Sequence, residues 1–116
     1  MSIDQPLSFA SRTGSRPETR VIALTGPLTL RNLFDLQNEL RSDSPVPLTI
    51  LDLSAVPYMD SAGMGLIINF YVHCQNRGTQ MIVAGVSSRV HELFRMTRVD
   101  TVIRQALDVA AAEALA

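Results

Sequence analysis

The stretch from Leu48 to Val86 sets the tightest limit on the fold. LTILDLSAV and QMIVAGV are apolar, partly β-branched runs, and between them GLIINFYVHCQNRG carries apolar residues at helical spacing. Near-continuous apolar runs suit strands buried on both faces, and two strands joined through a long helix lie parallel, with a right-handed crossover. The spacing predicts a helix from just after Ser61 to about Arg77-Gly78, where the glycine supplies the stop. Met64, Ile67, Ile68, Tyr71 and Val72 fall on one face and Leu66 and Phe70 widen it, so this helix is expected to be largely covered.

The flanking segments extend the same alternation. PLSFA and VIALT read as two strands separated by ASRTGSRPETR, residues 10–20, whose Ser, Thr, Gly and Pro favour a mobile turn. The first nineteen residues are therefore expected to form a partly flexible segment and hairpin. Gly26-Pro27 ends the second strand. From Thr29 onward Leu30, Leu33, Phe34, Leu36 and Leu40 recur as the apolar face of a helix that SDSPVP breaks. SSRVHELFRMT reads as a serine-capped helix with Val90, Leu93 and Phe94 inward and Arg89, Glu92 and Arg95 toward solvent. VDTVI is a candidate last strand and QALDVAAAEALA a final alanine-rich helix. The expected class is α/β: a mixed, mostly parallel sheet of about four to five strands covered by helices. One domain over residues 1–116 is expected.

Composition removes several chemistries. The chain has 116 residues and a formal net charge of −1, and its basic residues are all arginines, with no lysine. Schiff-base chemistry and the phosphate-binding charge of a P-loop thus lose their usual residue. Scattered arginines in a near-neutral chain give no footprint for nucleic acid, so a protein partner is expected. Cys74 is the only cysteine, which rules out an internal disulfide and a cysteine-based metal cluster. No apolar run approaches the ~20 residues of a membrane-spanning helix. The start shows no basic-then-apolar signal pattern, and a cytoplasmic location away from membranes is expected.

One segment invites a chemical reading: PYMDSAGMG, residues 57–65, at the junction of the central strand and its helix. Ser61 there fits a helix N-cap, a nucleophile, part of a phosphate cradle, or a serine modified by another protein. The cap stabilises by roughly 1 kcal/mol and is the plainest role, but it leaves Gly63 and Gly65 unexplained. Two glycines on one turn either pack the helix start tightly or let a partner approach the backbone.

The nucleophile elbow requires G-x-S-x-G, and Met59 stands where the first glycine belongs. His73 lies about 18 Å along the same helix at 1.5 Å per residue. No acidic residue separates Ser61 from His91, so the Ser-Asp-His order also fails, and an enzyme is not expected. G-M-G without a lysine makes a weak nucleotide site. His73 and Cys74 diverge by about 100° on the helix, and no metal-ligand spacing appears. A phosphorylated Ser61 is coherent physically, because a helix N-terminus tolerates anions while Asp60 beside it would repel the added charge.

LDLSAVPYMDSAGMGLIINFYVHCQNRG followed by MIVAGVSSRVHELFRMTRVDTVI resembles the STAS domain family of bacterial anti-sigma-factor antagonists, over about residues 20 to 104. The resemblance is carried by D-S-x-G-(apolar)-G at a helix start and by S-x-x-V-x-x-L-F at Ser87, Val90, Leu93 and Phe94. It implies a phosphoacceptor at Ser61, with Asp60, Ser61, Ala62, Gly63, Met64 and Gly65 as the rim that a partner binds. The implied partners are an anti-sigma factor that is a serine kinase, which brings the ATP, and a serine phosphatase. The chain itself would need no cofactor. Unphosphorylated, such a protein binds the kinase and frees its sigma factor; phosphorylated, it lets go. A constitutive interaction subunit, for example of a lipid-transport ATPase, is the alternative the resemblance leaves open. Two positions depart from the family pattern. Pro27 and Thr29 occupy a loop where relatives often carry an acidic residue, and Arg98 stands where they often have glycine, implying a different helix ending.

Overall fold

A computed structural model describes residues 7–15, 18–42 and 46–115. Part of the segment expected to be flexible, residues 1–6 and 16–17, lies outside the described residues, as does the middle of the expected helix break at 43–45.

Five strands form one sheet in sequence order: β1 Ser8–Thr13, β2 Thr19–Thr25, β3 Leu48–Ala55, β4 Gln80–Ala84 and β5 Arg104–Ala106. The β1–β2 pair is antiparallel and the other three pairs are parallel, which is the mixed, mostly parallel sheet that the alternating segments require.

Strand alternation sorts the core into two faces. Ile22, Leu51, Leu53, Met81 and Val83 face a large cluster covered by α1 Phe34–Ser42, α2 Ser61–Asn76 and α3 Ser88–Met96. Val21, Leu48, Ile50, Ile82 and Ala84 face the opposite side, under α4 Val109–Leu115 and its Ala112. Burial on both faces is why β3 and β4 read as continuous apolar runs. α4 is also tied to the hairpin, because the Ser15 backbone N–H (3.3 Å) and the Ser15 hydroxyl both donate to the buried Glu113 carboxylate.

Several elements differ from expectation. The helix read from Thr29 begins only at Phe34. Asn32 closes a turn first: its backbone N–H donates to the Thr29 carbonyl (3.1 Å), and its side chain accepts from the Thr29 N–H (2.9 Å) and donates to the Pro27 carbonyl (2.8 Å). Leu33, Leu36 and Leu40 are buried as read, whereas Leu30 and Phe34 remain 59% and 57% exposed.

VDTVI is not a strand. Val99–Thr101 forms a 3-10 turn whose Val99 carbonyl accepts from both Val102 and Ile103, and the strand moves to Arg104–Ala106. Gln105 and Ala106 pair with Val83 and Ala84, so the final helix is shorter than read and starts at Val109, where the Asp108 carboxylate accepts from the Ala111 N–H (2.8 Å). Sheet pairing thus outweighs the helical preference of alanine at Ala106.

α2 keeps its predicted span but presents a rotated face. Met64, Leu66, Ile67, Phe70 and Cys74 are buried, Ile68 and Tyr71 are half-buried, and Val72 is 47% exposed. Arg98 is the sole non-glycine residue with positive φ among the described residues (φ 61°, ψ 17°). The helix before it therefore ends in the left-handed conformation that glycine favours, and the different ending implied by the missing glycine is not adopted.

Candidate functional site

The chemistry-bearing segment sits at the carboxyl ends of the parallel strands, where α/β sheets place their sites. Two loops close there against each other. Leu28 bridges Met59 in parallel register: its N–H donates to the Tyr58 carbonyl (3.2 Å) and its carbonyl accepts from the Asp60 N–H (3.2 Å). Leu28 and Met59 are buried, so the loop before α1 and the loop before α2 form one platform.

Asp60, not Ser61, caps α2. With extended backbone (φ −101°, ψ −174°), Asp60 accepts from the Gly63 N–H through Oδ1 at 2.9 Å. Its other oxygen, Oδ2, accepts from the Leu30 N–H at 3.1 Å, so one carboxylate both starts the helix and clamps the neighbouring loop. The capping reading of Ser61 is corrected: aspartate is an equally good cap and stands one residue earlier. Ser61 is the first residue of α2, exposed, and its hydroxyl has no hydrogen-bond partner among the described residues.

The two glycines divide the roles left open for them. A Cβ on Gly63 would overlap the Leu28 carbonyl oxygen, so Gly63 serves the close packing of the helix start on the loop. A Cβ on Gly65 would meet no atom within 4 Å, so Gly65 leaves the surface beside Ser61 bare. Of the six residues read as a rim, Asp60 and Ser61 are exposed, Ala62 and Gly65 are half-exposed, and Gly63 and Met64 are buried. Met64 packs into the core and supports the rim from beneath; the apolar position of the motif is a core position.

The places of Leu30, Phe34 and Arg89 escaped the sequence reading. Leu30, on the loop that Asp60 holds, and Phe34, the first residue of α1, are exposed apolar surface and not core as expected. The turn chemistry of Pro27, Thr29 and Asn32 is the signal that could have shown it. Arg89, at the start of α3, lies over the Tyr58 ring at 5.2 Å. This contact links two segments adjacent only in the fold, and nothing local in the sequence marks it.

The histidines are engaged elsewhere. His73 Nε2 lies 3.0 Å from Arg77 Nη1 and His91 Nδ1 lies 3.3 Å from Gln105 Oε1, so neither ring engages Ser61 among the described residues. No group of three potential metal ligands, and no helix long and apolar enough to cross a membrane, occurs among the described residues.

The chain is 32% identical to the anti-sigma-B factor antagonist of Listeria monocytogenes over 53 residues, which is 46% of each protein, so the match spans about half the length of that curated relative. A Thermotoga maritima structure described as an anti-sigma factor antagonist superposes with a TM-score of 0.85 at 16% identity, covering 91% of this chain and 92% of that one. The Bacillus cell fate determinant SpoIIAA in its phosphorylated form superposes with a TM-score of 0.72 at 19% identity, covering 94% and 100%. Identities this low establish a shared fold. The STAS domain model matches residues 3–112, nearly the whole length, and with the mixed sheet and the D-S-x-G-x-G helix start the chain belongs to the STAS domain family.

Proposed function

We propose that this protein is an anti-sigma-factor antagonist controlled by phosphorylation of Ser61. The carrying observation is the division of labour at the start of α2: Asp60 supplies the cap, leaving the Ser61 hydroxyl exposed and structurally unneeded. The partial identity to an anti-sigma-B factor antagonist and the fold shared with a protein known in a phosphorylated form support this reading.

In the unphosphorylated state the rim at Asp60, Ser61, Ala62 and Gly65, with Leu30 and Phe34 beside it, contacts a kinase-type anti-sigma factor, which then releases its sigma factor. The kinase transfers the γ-phosphoryl group of its ATP. The Ser61 Oγ–P bond forms, the bond to ADP breaks, and the hydroxyl proton passes to a base on the kinase. The product carries close to two negative charges next to Asp60. The helix N-terminus tolerates those charges, so the fold survives, while like charge crowded into the contact expels the partner until a phosphatase acts. The chain contributes an acceptor and a docking surface and no catalytic group of its own.

The test combines the protein, a kinase-type anti-sigma factor and ATP, with the phosphate located by peptide mass spectrometry. One phosphate on Ser61, absent in Ser61→Ala with an unchanged circular dichroism spectrum, is the expected result. Phosphate on Ser87 or Ser88, or none, overturns the assignment.

A further inference from the structure

We propose that Arg89 is the internal receptor for a phosphate carried on Ser61, leaving the Tyr58 ring to pair with it. This inference rests on the reading of Ser61 as a phosphoacceptor and concerns what the modified protein does with its new charge.

Arg89 is exposed on the first turn of α3, and its guanidinium lies over the Tyr58 ring. No salt bridge to Arg89 occurs among the described residues; the ion pair recorded on that helix joins Arg95 to Glu92. An exposed guanidinium over a half-buried aromatic ring makes a modest contact. An arginine–phosphate pair is charge-assisted, planar and bidentate, and it is the stronger contact. Transfer from ring to phosphate is therefore favourable once a phosphate is in reach.

Reach follows from the fold. Tyr58 precedes Ser61 by three residues, so their Cα atoms are at most about 11 Å apart. β3 and β4 are parallel neighbours, and α2 and α3 follow their carboxyl ends, so both helices begin at the same edge of the sheet. Arg89 already lies over the ring of the residue three before Ser61, at the end of a long, freely rotating side chain.

The surroundings leave Arg89 the vacant cation. Both Asp60 oxygens accept backbone N–H groups from Gly63 and Leu30. Arg31, on the neighbouring loop, has a partner of its own. Other charged or titratable groups near the starts of these helices are Asp35 on α1 and His91 and Glu92 on α3, with Glu92 held by Arg95. Pairing would neutralise part of the phosphate charge and uncover the Tyr58 ring, so the modified surface would differ in both charge and shape.

The experiment installs phosphoserine at position 61 by codon expansion and follows the second phosphate ionisation by phosphorus NMR. Three proteins are compared: the otherwise wild-type chain, Arg89→Gln, and Arg77→Gln as a control at the far end of α2. Arg89 should lower that ionisation by roughly half a pH unit relative to Arg89→Gln, with Arg77→Gln matching the wild type. Tyr58 ring resonances should shift on phosphorylation in the wild type and stay put in Arg89→Gln. Equal ionisation in wild type and Arg89→Gln, or an equal change from Arg77→Gln, overturns the proposal. Because the phosphate is installed without a kinase, failure of a kinase to modify Ser61 would count against the proposed function and leave this result standing.

Discussion

The Leu28 carbonyl oxygen occupies the place that a side chain on residue 63 would need, so the first turn of α2 and the loop before α1 meet backbone to backbone. Gly63→Ala should therefore destabilise by about 1–3 kcal/mol, as overpacked sites do, since a carbonyl in the Leu28–Met59 bridge cannot swing away as a side chain could. Gly65→Ala, facing open space, should be neutral or stabilise by up to about 1 kcal/mol. Urea denaturation of the two variants checks the pair; equal effects would show that the close approach is not what selects glycine at 63.

The Asp60 carboxylate joins a helix cap to a contact thirty residues away in sequence. Asp60→Ala should cost about 1–2 kcal/mol and raise amide exchange at both Gly63 and Leu30. Asp60→Asn keeps one acceptor oxygen, so it should protect Gly63 and lose protection at Leu30. Hydrogen exchange by NMR resolves the two amides.

Arg98 holds a left-handed backbone conformation that costs a side-chain-bearing residue about 1 kcal/mol. Arg98→Gly should relieve it and raise stability by about 0.5–1 kcal/mol, a gain of a few degrees in Tm. A calorimetric scan showing lower stability would mean that the Arg98 side chain contributes more than the backbone loses.

Burial pushes the Cys74 thiol above its ordinary pKa, against the pull of the Thr79 hydrogen bond and of Arg20 and Arg77. The fold favours the protonated thiol, so this contribution is complete below the ordinary thiol range and is lost as pH rises through the folded value. Cys74→Ala should flatten the alkaline decline in stability above about pH 8 while lowering stability at neutral pH through the cavity it leaves. Stability measured against pH checks the slope, and native Cys74 should resist alkylation until the chain is unfolded.

Three substitutions probe the rim without touching the core. Ser61→Asp should weaken binding to the anti-sigma partner and leave Tm nearly unchanged, because Asp60 retains the cap and the helix start favours the added charge. Gly65→Leu and Phe34→Ser should each weaken binding at least tenfold in a calorimetric titration, the first by filling bare surface and the second by removing exposed apolar contact. Wild-type affinity in all three would favour a constitutive interaction module.

Local chemistry was enough to order the elements and to place the D-S-x-G-x-G segment at a strand-to-helix junction. Apolar runs of strand length, helical periodicity and the breakers at Gly26-Pro27 and Gly78 are properties of neighbouring residues, and neighbours carry them in any context. The resemblance added an expected role for Ser61, which spacing had left among several. What the chain alone could not decide depends on contacts far apart in sequence. Leu30 fits a helix by periodicity, but its N–H is taken by Asp60. Ala106 favours helix, but β4 offers a ladder edge and claims it. Asp60 and Ser61 are comparable caps, and the loop carrying Leu28 and Leu30 decides between them by giving the carboxylate a second donor. Tertiary structure settled those positions because each local preference is worth about 1 kcal/mol or less, which a single long-range hydrogen bond or ladder pair can outweigh.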